Sequence, residues 1–222
     1  MAEVLNVPSG SVVELPEGAD AENVAAMVNP TMSSVMAFKT RTEGLKEGFS
    51  VVILGVTSAS GRVAVTVARK MGAGKVVGVA RNEGAIKAIK GVDEAVVLKD
   101  NAEETEWEKV GQVDVVLDYL YGKPAQEYLK KVGKGGKVQY VQIGSLAGEQ
   151  IDLPSAVLRS KNVALRGSGP GAWSLQELQR EMPGIVEVAA SLERQKLRVE
   201  KLQDIERVWS EAGGKERLVI VP

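Results

Sequence analysis

From Ser50 onward, short apolar runs alternate with amphipathic stretches along the chain. The run Ser50–Gly55 is continuously apolar and ends at glycine, which is typical of a strand covered on both faces. Gly61–Met71 carries apolar residues at helical spacing and stops at Gly72, which predicts a helix. The same patterns predict five more strands, at Lys75–Ala80, Ala95–Leu98, Val113–Asp118, Gly136–Ile143 and Asn162–Arg166. Helices are predicted between them at Glu83–Lys90, Ala102–Val110 and Lys123–Val132.

Strands that alternate with helices of about ten residues predict right-handed crossovers and a parallel sheet. Because a turn rich in small residues follows the first strand, we expect the strand order 3-2-1-4-5-6. The predicted fold class is therefore α/β, with a doubly wound six-stranded parallel sheet of the Rossmann type.

The two ends of the chain do not belong to this alternation. Ala2–Leu15 alternates like a strand, and Ala21–Arg41 predicts one or two helices broken at Pro30. Near the other end we expect helices at Ser174–Leu192, bent at Pro183, and at Leu202–Ala212, and then a strand at Arg217–Val221. We interpret the end strands as remnants of a second domain. The predicted boundaries are 1–18 for the first remnant, 19–192 for the dinucleotide-binding domain and 193–222 for the last helix and strand.

Composition and charge exclude several classes of function. The chain has 222 residues and a formal net charge of -1, so no basic surface is available for nucleic acid. No apolar run approaches the roughly 18 to 20 residues of a membrane span, and we expect a cytoplasmic protein. The sequence has no cysteine and no histidine, which argues against a zinc site and excludes hydrolytic triads built on either residue.

The turn after the first strand, Gly55-Val-Thr-Ser-Ala-Ser-Gly61, has the properties of a phosphate-binding turn. Its small residues let the backbone approach a pyrophosphate, and the helix that begins near Ser60 directs free N–H groups and a positive dipole end towards it. The glycine pattern is incomplete, because Ser58 and Ala59 occupy places where glycine is commoner. The alternative is a tight turn that binds nothing.

The end of the second strand indicates which dinucleotide is bound. Domains specific for NAD place Asp or Glu there, but here Ala80 is followed by Arg81 and Asn82. Arg81 is placed to bind a 2'-phosphate through a charge-assisted hydrogen bond, which favours NADPH over NADH. The alternative is that Arg81 is a solvated surface residue.

Polar residues also end the fourth and fifth strands, at the edge of the sheet where a nicotinamide would lie. Asp118 has two open interpretations, a residue lining the crevice or a cap on the following helix. Tyr119 and Tyr121 are the candidate proton donors in this region, and for both the alternative is a packing role. Ile143-Gly-Ser145 ends the fifth strand.

Several motifs together resemble the medium-chain dehydrogenase/reductase family. They are Val12-Val-Glu-Leu-Pro-Glu-Gly18, Gly55-Val-Thr-Ser-Ala-Ser-Gly-Arg62, Val113-Asp-Val-Val-Leu-Asp-Tyr119, Gly135-Gly-Lys-Val138, Leu165-Arg-Gly-Ser168 and Arg217-Leu-Val-Ile-Val-Pro222. Their order and spacing are most similar to the zinc-free quinone oxidoreductase branch. The resemblance covers nearly the whole chain.

The resemblance also has implications for domain content. Members of the family carry a catalytic, GroES-like domain before the segment that resembles this chain. Ala2–Leu15 resembles the last strand of that domain, and Arg217–Val221 resembles the strand that returns to it. We therefore expect a fragment or a natural short form, with little reductase activity on its own.

Carried over by position, the resemblance implies a set of cofactor-binding residues. The pyrophosphate would lie at Gly55, Thr57, Ser58, Ala59, Ser60, Gly61, Arg62 and Val63. The 2'-phosphate would lie at Arg81 and Asn82, and the adenine beside Leu98 and Lys99. The nicotinamide side would include Leu120, Ile143, Gly144 and Ser168, with Ser33 where the family often has a threonine.

The expected function is NADPH-dependent reduction of an enone, a quinone or a related carbonyl compound by hydride transfer, without zinc. The alternatives are a module that binds NADPH without turnover and a scaffold repurposed for non-redox chemistry. We also expect a homodimer through the strand Asn162–Arg166, because this strand lies at the edge of the predicted sheet and the family often pairs there.

Overall fold

The computed structural model describes residues 3–131, 136–211 and 216–222. It divides into two compact units, one of which is Ser33–Ser174. The other contains the residues up to Met32 together with Leu175–Pro222. The domain boundaries expected from the sequence, after residues 18 and 192, stay a prediction. Ala2, Val132, Gly135 and Ala212, which belong to elements or motifs named above, lie outside the described residues.

The unit Ser33–Ser174 contains a six-stranded sheet in the order β3-β2-β1-β4-β5-β6, and every neighbouring pair is parallel. The strands are β1 Ser50–Leu54, β2 Lys75–Ala80, β3 Glu94–Val97, β4 Val115–Asp118, β5 Val138–Gln142 and β6 Val163–Gly167. This confirms the predicted α/β fold and strand order. The observed bounds differ from the predicted ones by a few residues at most.

The helices of this unit confirm most of the predicted pattern. They are α2 Ala59–Lys70, α3 Glu83–Lys87, α4 Gly122–Lys131 and α5 Ser155–Ser160. The predicted helix over Ala102–Val110 is wrong, because the segment forms two 3₁₀ turns, Ala102–Glu104 and Trp107–Val110. Thr105 interrupts them with extended dihedrals, and its hydroxyl accepts a hydrogen bond from the Lys99 amide at 3.0 Å. α5 was not predicted, since it is short and has no buried residue.

The core explains why β1 is apolar along its whole length. Val51–Leu54 is fully buried, because both faces of the sheet are covered. On one face an aromatic group, Trp107, Tyr128 and Tyr140, joins the valines and leucines of the strands. The rings of Trp107 and Tyr128 meet edge to face with their centroids 5.6 Å apart.

The helix α1 Ala21–Arg41 continues through Pro30, so the predicted break is wrong. Proline lacks the N–H of one helical hydrogen bond, but the apolar side of the helix is buried both before and after it, for example at Met27 and Met36. The hydroxyl of Thr31, the residue after the proline, donates to the Met27 carbonyl one turn earlier at 2.8 Å. Burial on both sides outweighs the loss of one bond.

The unit that contains Leu175–Pro222 has a two-stranded parallel sheet, β7 Leu197–Lys201 with β8 Arg217–Val221. β8 confirms the predicted last strand, whereas β7 was not predicted, since its apolar residues alternate with charged ones over only five positions. The helix predicted over Ser174–Leu192 is α6 Leu175–Ala190, with Pro183 inside it. Instead of one helix from Leu202, a 3₁₀ turn at Leu202–Asp204 precedes a short α7 at Ile205–Trp209.

The strand predicted over Ala2–Leu15 is wrong for its described part. Residues 3–15 contain only a 3₁₀ turn, Ser9–Ser11, and the side chains of Val4 and Leu5 are 83% and 75% exposed. An alternating segment becomes a strand when a neighbouring strand takes its N–H and C=O groups, and no described strand pairs with these residues. Among the described helices, none is long and apolar enough to cross a membrane.

Candidate functional site

A cleft of about 550 Å³ opens at the carboxyl ends of the first four strands of the six-stranded sheet. Residues that follow the strand ends belong to its lining, namely Gly55 after β1, Arg81 after β2, Leu98 after β3 and Leu120 soon after β4. This is the edge at which doubly wound α/β sheets bind ligands.

The turn between β1 and α2 forms one wall of the cleft through Gly55, Thr57 and Ser58. Ser58 is the N-cap of α2, and its hydroxyl accepts a hydrogen bond from the Gly61 amide at 3.0 Å. The helix that follows begins beside the lining residues, so its positive end lies next to the cleft. This turn can therefore hold an anionic group.

Glycine is required at both ends of this turn, for different reasons. Gly55 has a φ of +88°, a conformation that other residues adopt only with strain. A Cβ on Gly61 would lie 2.2 Å from the Gly55 carbonyl oxygen and 2.7 Å from the Val56 Cα, so only glycine lets α2 approach the end of β1 this closely. Gly61 thus sets the distance between helix and strand.

Three basic side chains, Arg81, Lys99 and Lys123, line the cleft, and Asp100 is the acidic residue beside them. All three basic residues are exposed to solvent. The neighbouring Asn82 is the N-cap of α3, because its side chain accepts a hydrogen bond from the Ala85 amide at 2.9 Å. The charge of the described lining therefore suits a polyanion.

Between the basic groups the lining is apolar. Leu98, Ala102, Leu120 and Pro124 contribute side chains to it. The indole of Trp107 donates to the Ala102 carbonyl at 2.9 Å and holds the segment after β3 in place. An apolar surface beside exposed cations suits a flat aromatic ring attached to a phosphate.

Asp118 at the end of β4 is fully buried, so it does not line the cleft. One carboxylate oxygen accepts hydrogen bonds from the amides of Leu120, at 2.8 Å, and Tyr121, at 2.9 Å. The other accepts from the Tyr140 hydroxyl at 2.6 Å. Burial raises the pKa of Asp118, while the three hydrogen bonds act in the opposite direction. The carboxylate therefore caps the turn that leads into α4, which is close to the second of the two interpretations left open by the sequence.

Neither candidate proton donor, Tyr119 or Tyr121, lines the cleft. The hydroxyl of Tyr119 is buried at 2.8 Å from the Ser34 hydroxyl of α1, and burial raises the pKa of Tyr119 to about 12. Tyr121 is half-buried and has a φ of +52°. The Tyr119 phenol keeps its proton at neutral pH and connects two elements of the unit.

The structure brings together part of the set expected from the sequence. The expected residues that line the cleft are Gly55, Thr57, Ser58, Arg81, Leu98, Lys99 and Leu120. Those outside its lining are Ser33, Ala59, Ser60, Gly61, Arg62, Val63, Asn82, Ile143, Gly144 and Ser168. The amides of Ile143 and Gly144 donate to the Asp118 carbonyl, at 2.8 and 3.0 Å, so they lie next to the turn after β4.

Other lining residues were not expected from the sequence, namely Ala80, Asp100, Ala102, Lys123, Pro124, Leu146 and Ala147. The position of Lys123 and Pro124 in the first turn of α4, directly after a strand, was a usable signal. Leu146 and Ala147 had no local signal. Within the described ranges, no three acidic side chains come close enough together to hold a metal ion.

Comparison of the chain with known proteins finds similarity to two named reductases. No protein-family model matches it. It is 40% identical to a probable NADPH-dependent quinone reductase of Emericella nidulans over 93% of this chain and 63% of that protein. It is 31% identical to an acryloyl-coenzyme A reductase of Sulfurisphaera tokodaii over 68% of this chain and 43% of that protein. The chain thus spans less than two thirds of the length of either relative.

A solved structure shows the same arrangement of elements. It is the quinone oxidoreductase of Thermus thermophilus, studied alone and in its complex with NADPH. The TM-score is 0.63 at 27% identity, over 92% of this chain and 67% of that one.

Proposed function

Because this chain belongs to the medium-chain dehydrogenase/reductase family, we propose that it is the NADPH-binding part of an oxidoreductase that reduces an enone, a quinone or a related carbonyl compound. The observation that carries the proposal is the cleft at the carboxyl edge of the sheet, with Arg81 directly after β2 where NAD-specific domains have an acidic residue. The names of the relatives, an NADPH-dependent quinone reductase and a reductase of an acryloyl thioester, support the same class of substrate.

The described residues fit the adenosine half of NADPH. Arg81 and Lys99, both exposed at the cleft, would bind the 2'-phosphate, and Asn82 is the cap that fixes the start of α3. The adenine would lie against the apolar lining residues Leu98, Ala102 and Pro124. The turn Gly55–Val63 and the positive end of α2 would hold the pyrophosphate. The guanidinium of Arg62 donates to the Thr57 carbonyl at 3.2 Å and stabilises that turn.

NADPH supplies the hydride, and the protein orients it. On the nicotinamide side we propose Leu120, Ile143, Gly144 and Ser168, with Ser33 as a further hydroxyl. A Cβ on Gly144 would lie 2.9 Å from the Tyr119 carbonyl oxygen, so the ends of β4 and β5 approach closely there. The Tyr119 hydroxyl is bonded to Ser34 and stabilises this edge. We therefore propose that a water molecule or another hydroxyl group returns the proton.

Isothermal titration calorimetry with NADPH, followed by NADPH oxidation at 340 nm after addition of a quinone or an enone, tests the function. We expect saturable binding with one NADPH per chain, and oxidation that depends on the acceptor. Absence of NADPH binding would contradict the proposal. Binding without acceptor-dependent oxidation would instead favour the alternative, a module that holds NADPH, because the described lining of the cleft offers no buried acid or base.

We further propose that the reaction needs no zinc and takes place in the cytoplasm. The sequence contains neither cysteine nor histidine, the residues that bind most zinc ions in proteins. Dialysis against a chelator should therefore leave NADPH binding and any turnover unchanged. Loss of activity that zinc restores would contradict this.

We also propose a homodimer through β6, the edge strand of the large sheet. The Asn162 carbonyl accepts from the Val138 amide at 2.9 Å, and the Ser168 amide donates to the Gln142 carbonyl at 2.8 Å. Even-numbered residues of β6 therefore bond to β5, and the N–H and C=O groups of Leu165 face the open edge. Leu165 is 39% exposed, which suits antiparallel pairing with a second copy.

Replacing Leu165 by proline should convert the dimer into a monomer without unfolding it, because proline removes the donor on the open edge and leaves the bonds to β5 intact. Sedimentation velocity at micromolar concentration measures the oligomeric state, and circular dichroism confirms the fold. Proline at Ala164 is unsuitable for this test, since it would break the β5–β6 ladder. A monomeric wild-type chain would contradict the proposed interface.

A further inference from the structure

We propose that Asp118, together with Tyr140, is a positioning residue for NADPH: without touching the cofactor, the buried carboxylate fixes the shape of one whole wall of the cleft. The inference rests on the proposed function, because it assigns a residue to the same site. It concerns the segment Tyr119–Gly122, called here the β4–α4 turn.

The first observation is a buried carboxylate whose hydrogen-bonding partners are all neutral. Asp118 is 0% exposed, and the donors to it are the amides of Leu120 and Tyr121 and the hydroxyl of Tyr140. Burying a charge without a cation is costly, and an apolar residue at the end of a buried strand would avoid that cost. The carboxylate therefore has a task that an apolar side chain cannot perform, namely to accept two consecutive amides.

The second observation is strain in the same turn. Tyr121 has a φ of +52° and is the only non-glycine residue with a positive φ among the described residues. Gly122 follows it with a φ of +59°. Glycine adopts such a φ freely, but at Tyr121 it is unfavourable and persists only when the surrounding structure imposes it. The hydrogen bond from the Tyr121 amide to Asp118 is the contact that holds the strained residue in place.

The third observation is that the turn organises the loop opposite it. The amide of Leu146 donates to the Tyr119 carbonyl at 3.1 Å, and the amide of Ala147 donates to the Leu120 carbonyl at 2.8 Å. A Cβ on Gly122 would lie 2.7 Å from the Ala147 carbonyl oxygen, so the two segments are in close contact. Leu146 and Ala147 both line the cleft, so the turn fixes lining residues beyond its own.

These contacts connect one carboxylate to a large part of the cleft. The β4–α4 turn contributes Leu120 to the lining, the start of α4 directly after it contributes Lys123 and Pro124, and the segment bonded to the turn contributes Leu146 and Ala147. Leu120 also covers the phosphate turn, because its Cδ2 atom lies 3.0 Å from the position of a Cβ on Gly55. When Asp118 releases the turn, the wall facing the pyrophosphate moves, and NADPH loses contacts on both sides of the cleft.

The experiment compares D118A, D118N and Y140F with wild type in the 222-residue chain. Binding of NADPH is measured by calorimetry, and amide hydrogen exchange is measured at Leu120 and Tyr121. Asparagine keeps an oxygen that accepts both amides and an NH₂ group that donates to Tyr140, whereas alanine keeps neither. V110A is the matched control, since Val110 is buried in the same core cluster as Tyr140 but does not line the cleft.

We expect D118A to weaken NADPH binding by about tenfold or more and to accelerate exchange of the Leu120 and Tyr121 amides by about the same factor. The reason is that both amides lose their acceptor. D118N should stay within about threefold of wild type in both measurements, and Y140F should lie between them, since it removes one of three donors. V110A should lower the melting temperature and leave NADPH affinity unchanged.

Two results would overturn the inference. One is a D118A protein, or a Y140F protein if D118A does not fold, that binds NADPH and exchanges both amides like wild type. The other is a D118N protein as impaired as D118A, which would assign the effect to the charge and not to the acceptor. Failure of wild type to bind NADPH would reject the proposed function itself, so the two failures are distinguishable.

Discussion

Replacing Gly61 by alanine should lower the free energy of unfolding by roughly 3 kcal/mol or more, because the new Cβ has no space. It would lie 2.2 Å from the Gly55 carbonyl oxygen and 2.7 Å from the Val56 Cα, and both are backbone atoms beside the buried strand β1. The helix α2 must move away to make room. Its positive end then leaves the phosphate turn, so NADPH affinity should fall as well.

Chemical denaturation measures the loss of stability, and G184A is the matched control. Gly184 lies inside the helix α6, and nothing lies within 4 Å of its added Cβ. There alanine should leave the stability unchanged or raise it by up to about 1 kcal/mol, as expected from helix propensity. If G61A were as stable as wild type, the close approach of α2 to β1 would be contradicted.

Replacing Arg81 by alanine should remove roughly 1.5 to 3 kcal/mol of NADPH binding free energy, as expected for a charge-assisted hydrogen bond. Wild type should bind NADPH at least about tenfold tighter than NADH, and R81A should bind the two almost equally. The physical reason is that Arg81 is exposed at the cleft directly after β2, where a 2'-phosphate needs a cation and where NAD-specific domains carry an acidic residue instead.

Calorimetric titrations with both cofactors, for wild type and R81A, measure this preference. R159A is the matched control, because Arg159 is an exposed arginine in α5 that does not line the cleft, so the same charge is removed elsewhere. It separates a direct contact from a change in overall charge. Equal affinity of wild type for NADPH and NADH would reject the assignment of Arg81.

The sequence alone determined the large sheet and the position of the cleft. β1 could be predicted from the sequence because both of its faces are buried, so every residue from Val51 to Leu54 is apolar. The order of the strands could be expected because a turn rich in small residues after the first strand is typical of the Rossmann fold, whose strand order is 3-2-1-4-5-6. Because ligands of such sheets bind after the strands, Gly55 and Arg81 could be assigned to the cleft before any coordinates, and the family resemblance implied Leu98 and Leu120 as well.

Sequence patterns misled where a local rule competes with a distant contact. Pro30 normally ends a helix, but α1 is buried on both sides of it and continues. The segment up to Leu15 alternates like a strand, yet no described strand pairs with it. β7 was missed for the opposite reason, since its five residues become a strand through pairing with β8.

Only the tertiary structure decided the shape of the site. The sequence left Asp118 between two roles, and the choice depends on Tyr140, which is distant in the chain but adjacent on β5 and donates to the carboxylate at 2.6 Å. Leu146 and Ala147 line the cleft because their amides bond to carbonyls of the β4–α4 turn, a contact that no local pattern encodes. Periodicity records which face of an element is buried, whereas the partner of a buried polar group is set by strand register and by packing between elements.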